Sequence, residues 1–286
     1  MERYFKIGDF SFKMKSDIDL LIPAHFGLFE TGEIETDYTY SVVIAKELPE
    51  VHGTVVHHTH DITVLDYNGL ETRQINIYGE SSPYAQYLEK DAHNAEIYIA
   101  EERLEEILKY DTTFTSLFAL EKKMAERNAL ILHSSSIHYG DEAVLFSAPS
   151  GTGKSTQADQ WKKYRGNTTI NGDRNLLAKY DGRWHMLGWP VCGSSEICHN
   201  EKHPVKAIVM LEQAKTDSIV RLNGMQAYSR VFPQITCGRW DKKKALHVMD
   251  LTEKLISEVP VFLLKCTISE NAVLILENEL EQLKEM

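Results

Sequence analysis

The sequence predicts an α/β fold over its second half and a β-rich region before it, and three observations carry that expectation. Up to about residue 100, short β-type runs alternate with turn residues: "YFKIGDFSFKM", "YTYSVVIAKEL", "GTVVHHTHDITVLDYNG" and "TRQINIYG". The last two are joined by an Asn-Gly pair of the kind that closes hairpins. From "AEERLEEILKY" through "TSLFALEKKMAERNA" the period becomes helical, with Leu117, Leu120 and Met124 on one face. From residue 129 onward, strands and helices alternate. The expected organisation is therefore a β-rich domain over 1–100, a helical connector over 101–128 and an α/β domain over 129–286.

Within the third region, "ALILHSSSIHY" and "EAVLFSA" are apolar runs separated by Gly140-Asp141, which favours a tight hairpin. A glycine-rich loop follows, and "KSTQADQWKKY" then reads as a helix. Further strands are expected at "TTIN", "NLLAKY", "RWHMLG", "VKAIVMLE", "SIVRL" and "VFLLK", with helices near 225–235, 241–257 and 269–284. The last two helices carry the pairs and stripes Leu246/Met249 and Val273/Leu276/Leu280/Leu283, expected to pack on the sheet.

Composition narrows the function. At 286 residues and 43% hydrophobic content the chain can bury a large core. Its formal charge of −11 repels nucleic acid and anionic membranes, so neither is an expected partner, and any anion must be held by a few placed cations. The start offers no signal-peptide core and later apolar runs such as "VPVFLL" are too short to span a bilayer, which predicts a cytoplasmic protein. Cys192, Cys198, Cys237 and Cys266 show no secreted disulfide pattern. Self-association is left open.

The stretch "LFSAPSGTGKST" concentrates the chemistry. Ser150-Gly151-Thr152-Gly153-Lys154-Ser155-Thr156 has the spacing of a phosphate loop, with Ala148 at the first glycine position. Its glycines let backbone amides turn toward one point, and Lys154 can reach the distal phosphates of ATP as a point charge. The helix start adds partial positive charge, and the Ser155 hydroxyl is placed to ligate Mg²⁺. Thr156 is expected on a more distal phosphate or on the helix end. An aspartate should follow on the next strand, and "TTINGDRN" supplies Asp173 as the second metal ligand.

Over residues 130–175 the chain resembles HPr kinase/phosphorylase and its superfamily relative, phosphoenolpyruvate carboxykinase. The likeness rests on His133 in the hairpin strand before the loop, on the tract Ser150 to Lys154, and on the acidic turn Asn171-Gly172-Asp173-Arg174, which in HPr kinases typically reads Ala-Asp-Asp-Arg. It is loose onward to 286 and absent from the N-terminal region. The resemblance implies an HPr kinase-like phosphate-loop domain binding ATP and Mg²⁺, with Lys154, His133 and Asp173 catalytic and His133 beside the γ phosphate supporting the aspartate. Two departures accompany it. Gly172 occupies one aspartate position, leaving Asp173 to serve both metal and proton acceptor, and Thr156 replaces the glutamate that usually follows the loop serine.

Other clusters read as structural. His52, His57, His58, His60 and Asp61 fit a polar strand face, and Cys192, Cys198, His199 and His203 match no paired zinc knuckle. "GWPVCGSSE" reads as a surface loop, with a place near the phosphates as its alternative. Arg174, Arg221, Arg230 and Arg239 are candidates for a transition-state cation. The expected function is phosphorylation of a hydroxyl on a peptide, protein or small molecule. A nucleotide-sensing protein without turnover and a small-molecule kinase or carboxykinase-type enzyme are the competing expectations.

Overall fold

A computed structural model describes residues 1–76, 82–104 and 110–283. The ends of the "TRQINIYG" run (77–79) and of the helix expected over 269–284, and residues 105–109 of the connector, lie outside the described residues. The chain divides into two compact units, 1–127 with 238–242, and 128–237 with 243–286.

The first unit is built on a nine-stranded sheet in the order β3-β1-β2-β4-β9-β8-β7-β6-β5. Its strands are β1 (Glu2–Ile7), β2 (Phe10–Ser16), β3 (Glu30–Thr31), β4 (Tyr38–Ala45), β5 (Thr54–His58), β6 (Ile62–Tyr67), β7 (Leu70–Asn76), β8 (Pro83–Glu89) and β9 (Asn94–Ala100). The turn between β6 and β7 uses Asn68 and Gly69, both at positive φ, the backbone a two-residue hairpin needs. Two short helices, α1 (Asp111–Leu117) and α2 (Leu120–Ala125), belong to this unit and are separated by Ala119 at φ 50. The connection between them meets the sheet: Phe118 packs 4.9 Å from Tyr40, whose hydroxyl donates to the Phe118 carbonyl. Arg73, 1% exposed, donates to Glu71 (2.6 Å) and Glu121 (2.5 Å), so the buried charge is paired on two sides. Trp240, from the segment 238–242, donates to Glu71 and stacks on His57 at 4.8 Å.

In the second unit two long strands are each shared between sheets. β10 (Leu130–Tyr139) pairs through Leu130–His133 with β13 (Arg174–Tyr180), and from Ser134 onward with β11 (Glu142–Ser147). β15 (Lys202–Gln213) pairs at its start with β14 (Arg183–Leu187) and further on, parallel, with β11 and β17 (Val261–Cys266). Because β13 and β14 also pair, β10, β11, β15, β14 and β13 form a closed circuit of hydrogen-bonded neighbours. β16 (Ser218–Arg221) borders β17, and β12 (Thr169–Asn171) borders β10.

Four helices accompany these strands: α3 (Lys154–Arg165), α4 (Gly224–Val231), α5 (Lys242–Glu258) and α6 (Glu270–Gln282). Trp161 of α3 and Val273, Leu276 and Leu280 of α6 join Phe146, Val209 and Leu264 in one buried cluster, and the Arg165–Glu277 ion pair at 2.7 Å joins the two helices. The stripe expected on α6 therefore packs as read. The pair expected on α5 does not: Leu246 is 60% exposed and Met249 38%, while Val248, Leu251 and Leu255 are buried. Two residues three apart fit either of two neighbouring helix faces, and the longer i, i+3, i+7 series marks the buried one. Among the described residues no helix is long and apolar enough to cross a membrane.

Candidate functional site

The site lies where β10 passes from one sheet to the other. At that point the strand reads His133-Ser134-Ser135-Ser136, and the three serines are fully buried. A buried hydroxyl needs a partner, and each has one. Ser135 donates to the Lys154 carbonyl (3.0 Å), Ser136 to Asn175 Oδ1 (2.7 Å) and Ser134 to the Leu132 carbonyl (3.3 Å). Asn175 returns hydrogen bonds to Ser134 at its carbonyl and hydroxyl, and Ser147 donates to the His133 carbonyl. Asn171, also fully buried, accepts from the Asp173 and Arg174 amides through Oδ1 and donates to the Trp189 carbonyl. This network ties the start of α3, the strand with His133 and the turn with Asp173 into one frame. Three serines in a row within an apolar strand were the signal for it.

The glycine loop joins β11 to α3. Gly151 (φ 77) and Gly153 (φ 112) take backbone conformations that side-chain-bearing residues rarely adopt. Gln213 of β15 donates to the Gly151 and Thr152 carbonyls and braces the loop from outside. Helix α3 starts at Lys154 with no side-chain cap and no acidic residue in its first turn. Its first amides therefore have no intrahelical acceptor and present positive potential to the space in front.

That space is a cavity of about 290 Å³. From the loop and helix it is lined by Ser150, Gly151, Gly153, Lys154, Ser155 and Thr156, and from the acidic turn by Gly172 and Asp173. The segment Cys192–Ser195 forms the remaining wall. Thr152 belongs to the loop and is not among the lining residues.

Asp173 is the charged centre. His133 Nε2 lies 3.2 Å from its Oδ1 and Arg174 Nε 3.5 Å from its Oδ2, with Arg174 anchored by a 2.6 Å hydrogen bond to Thr236. Burial raises the Asp173 pKa, but His133, Arg174 and Lys154 together outweigh it and hold the carboxyl below the ordinary 3.8. Its ionisation therefore stabilises the fold above that pH, and the contribution is lost as pH falls through the lowered value. Lys154, 7% exposed, donates to the Ala148 carbonyl at 3.3 Å. Burial lowers its pKa, with Asp173 opposing and Arg174 reinforcing. A partly desolvated ammonium that donates to a carbonyl and faces the cavity is set to attract an anion.

His133 meets Asp173 but is not among the lining residues, so its link to the cavity is that carboxylate. Ser155 and Asp173 share the cavity and are suited to hold one divalent cation between oxygen ligands. Of the four arginines singled out, Arg174 touches Asp173, Arg230 pairs with Glu212 at 3.3 Å, and Arg221 lines a different cavity with Glu142 and Lys206. Arg239 belongs to the first unit. Cys192, Cys198, His199 and His203 do not meet as one ligand set among the described residues: His203 lies with His138 and Glu201, and the Cys198 thiol donates to the Trp189 carbonyl.

The segment Cys192–Ser195, within the stretch read as a surface loop, is part of the site. The chain just after it is tied to the acidic turn, with Gly172 N donating to the Ile197 carbonyl and His199 N to the Ile170 carbonyl. Gly193, at φ 58, brings its backbone to the Asp173 side chain: a Cβ there would lie 3.1 Å from Asp173 Cβ. At Gly172 a Cβ would meet Ser195 Oγ at 1.8 Å and Ser195 Cβ at 2.5 Å. The space a second carboxylate would need is thus filled by Ser195. Gly172→Ala should displace this wall and destabilise the protein by about 1–3 kcal/mol, read as a melting point lower by roughly 2–4 °C per kcal/mol. Adding Ser195→Gly should recover most of the loss. A Gly172→Ala protein that melts like wild type would contradict the packing.

A model of the family described as SynChlorMet cassette protein ScmC matches residues 96–281 of the chain. No curated protein matches it. Among solved structures, it is similar to the Hpr(Ser) kinase/phosphatase from Coxiella burnetii. That match has a TM-score of 0.34 and 12% identity, covering 54% of this chain and 93% of the other.

Proposed function

The chain belongs to the ScmC family of SynChlorMet cassette proteins, and we propose that it is an ATP- and Mg²⁺-dependent phosphotransferase of HPr kinase-like type, acting on a hydroxyl of a peptide or protein. The observation that carries this reading is the cavity itself: a phosphate-loop sequence and an uncapped helix start face an aspartate paired with a histidine. The loop amides and Lys154 would hold the phosphates, and Ser155 with Asp173 the metal. Bound Mg²⁺ supplies charge neutralisation at the transferring phosphoryl group. Transfer through a loose transition state asks the protein for positioning and electrostatics rather than for a covalent residue. Asp173, held ionised by its neighbours, orients the acceptor hydroxyl, and His133 fixes the carboxylate that does so. The description as a cassette protein agrees with an acceptor encoded beside this chain.

A second reading, nucleotide binding without turnover, is favoured by Gly172, since the site has room for one carboxylate only. The two readings separate in an assay of ADP and phosphorylated product, with ATP, Mg²⁺ and peptide or small hydroxyl acceptors. A protein that binds ATP yet forms no ADP above background with any of them is a sensor. If transfer is observed, His133→Ala should lower its rate about ten- to a hundred-fold, the scale for a group that orients a metal ligand, with little change in ATP affinity. His133→Gln, which keeps a donor near Asp173, should recover part of the rate. Equal losses in affinity and rate would remove His133 from this role.

A further inference from the structure

We propose that His138, Glu201 and His203 bind a borderline first-row dication of the zinc type, at the end of the second unit opposite the glycine loop and independent of the phosphate site. The placement follows from the strand pairing. β11 lies between β10 and β15, and Ala143 at its start pairs with His138 on one side and Val205 on the other. The tight Gly140-Asp141 turn keeps β11 short there, so side chains from β10 and from the start of β15 converge across it. Glu201 Oε2 lies 3.3 Å from His138 Nε2 and 2.9 Å from His203 Nε2, and one ligand atom from each of the three residues falls within 4.8 Å of the others.

Two imidazole nitrogens and a carboxylate oxygen are a common zinc donor set. In a tetrahedral site with bonds of about 2.0–2.2 Å the ligand atoms stand roughly 3.3–3.5 Å apart, close to the separations present here. The rings are 4.8 Å apart at 84°, so they present edges to the carboxylate instead of stacking. Nδ1 of His203 lies 3.4 Å from the Asp141 carbonyl, the partner that directs the other ring nitrogen's lone pair toward a metal. Asn167 donates to the His138 carbonyl at 2.7 Å and fixes that backbone. The side chains of His138, Glu201 and His203 are 29%, 41% and 21% exposed, which leaves a fourth position to water. The same residues without a metal would make an ordinary cluster of hydrogen-bonded ion pairs. Metal alone distinguishes the two.

The test uses the untagged full chain with excess Mg²⁺, which occupies oxygen-ligand sites. Zn²⁺ titrated by calorimetry should show an equivalent that weakens at least about ten-fold in His138→Ala, in His203→Ala and in Glu201→Gln, since losing a ligand costs no less than losing its supporting partner. Binding by the histidine-rich segment 52–60 would persist in all three. Co²⁺ should give the intense visible absorption of a four-coordinate site, displaced by Zn²⁺ and diminished in Glu201→Gln. That variant alters a partly exposed side chain and serves if a histidine variant does not fold. Unchanged zinc affinity and stoichiometry in the variants, or a cobalt spectrum indifferent to Glu201→Gln, overturns the proposal.

Discussion

Lys154→Ala is expected to weaken binding of ATP with Mg²⁺ and to lower any phosphoryl transfer by about 10²–10³, the scale for removing one preorganised electrostatic contact in a desolvated site. The lysine's surroundings set that scale. It is 7% exposed, its ammonium has the Ala148 carbonyl as its hydrogen-bond acceptor, and the backbone of its own residue is fixed by Ser135. The ammonium has thus lost most of its water before any ligand arrives, and an incoming phosphate finds a positioned charge. Calorimetric titration measures the effect on affinity, and ADP formation the effect on rate. Unchanged affinity would remove the phosphate assignment whatever the acceptor is.

Asp173→Asn is expected to lower metal-dependent turnover about 10²–10⁴-fold, including slow hydrolysis of ATP by water. The substitution keeps the shape but removes the charge facing His133, Arg174 and Lys154, and turns one of the two acceptor oxygens into a donor. Because those neighbours hold the carboxyl below its ordinary range, it is a weak proton acceptor and a good ligand for a cation. The loss should therefore grow as Mg²⁺ is lowered, and ATP binding without metal should be preserved or improved by the gain of a less negative site. A variant with wild-type turnover at limiting Mg²⁺ would place the metal elsewhere.

Much of this was legible in the sequence where the determinants are local. The loop and α3 follow from glycine spacing and a helical period, and Asn68-Gly69 marks a hairpin because few residues tolerate positive φ. The aspartate was found as the acid nearest a strand end after the loop. The stretch with the wall at Cys192–Ser195 reads as a surface loop, with a place near the phosphates only as its alternative, because its position depends on hydrogen bonds linking Ile197 and His199 to Gly172 and Ile170, more than twenty positions earlier. The α5 face was misplaced because Leu246 and Met249 alone do not define a stripe, although Val248, Leu251 and Leu255 stood in the same window. The parallel pairing of β11 with β15 was not assigned, since the buried apolar stretches Ala143–Phe146 and Ala207–Leu211 would fit many partner strands.

The buried frame of Ser134, Ser135, Ser136, Asn171 and Asn175 has a consequence for how the chain can vary. Ser134, Ser136, Asn171 and Asn175 satisfy one another while Ser135 holds the Lys154 carbonyl, so an apolar replacement at Asn175 alone would strip partners from the Ser134 carbonyl and the Ser136 hydroxyl and leave buried polar atoms unpaired. Single steps away from the set are therefore costly, whereas concerted replacement by apolar residues of matching shape is not. Across relatives these positions should co-vary as one heritable block, changing together or not at all, while the exposed faces around them drift freely.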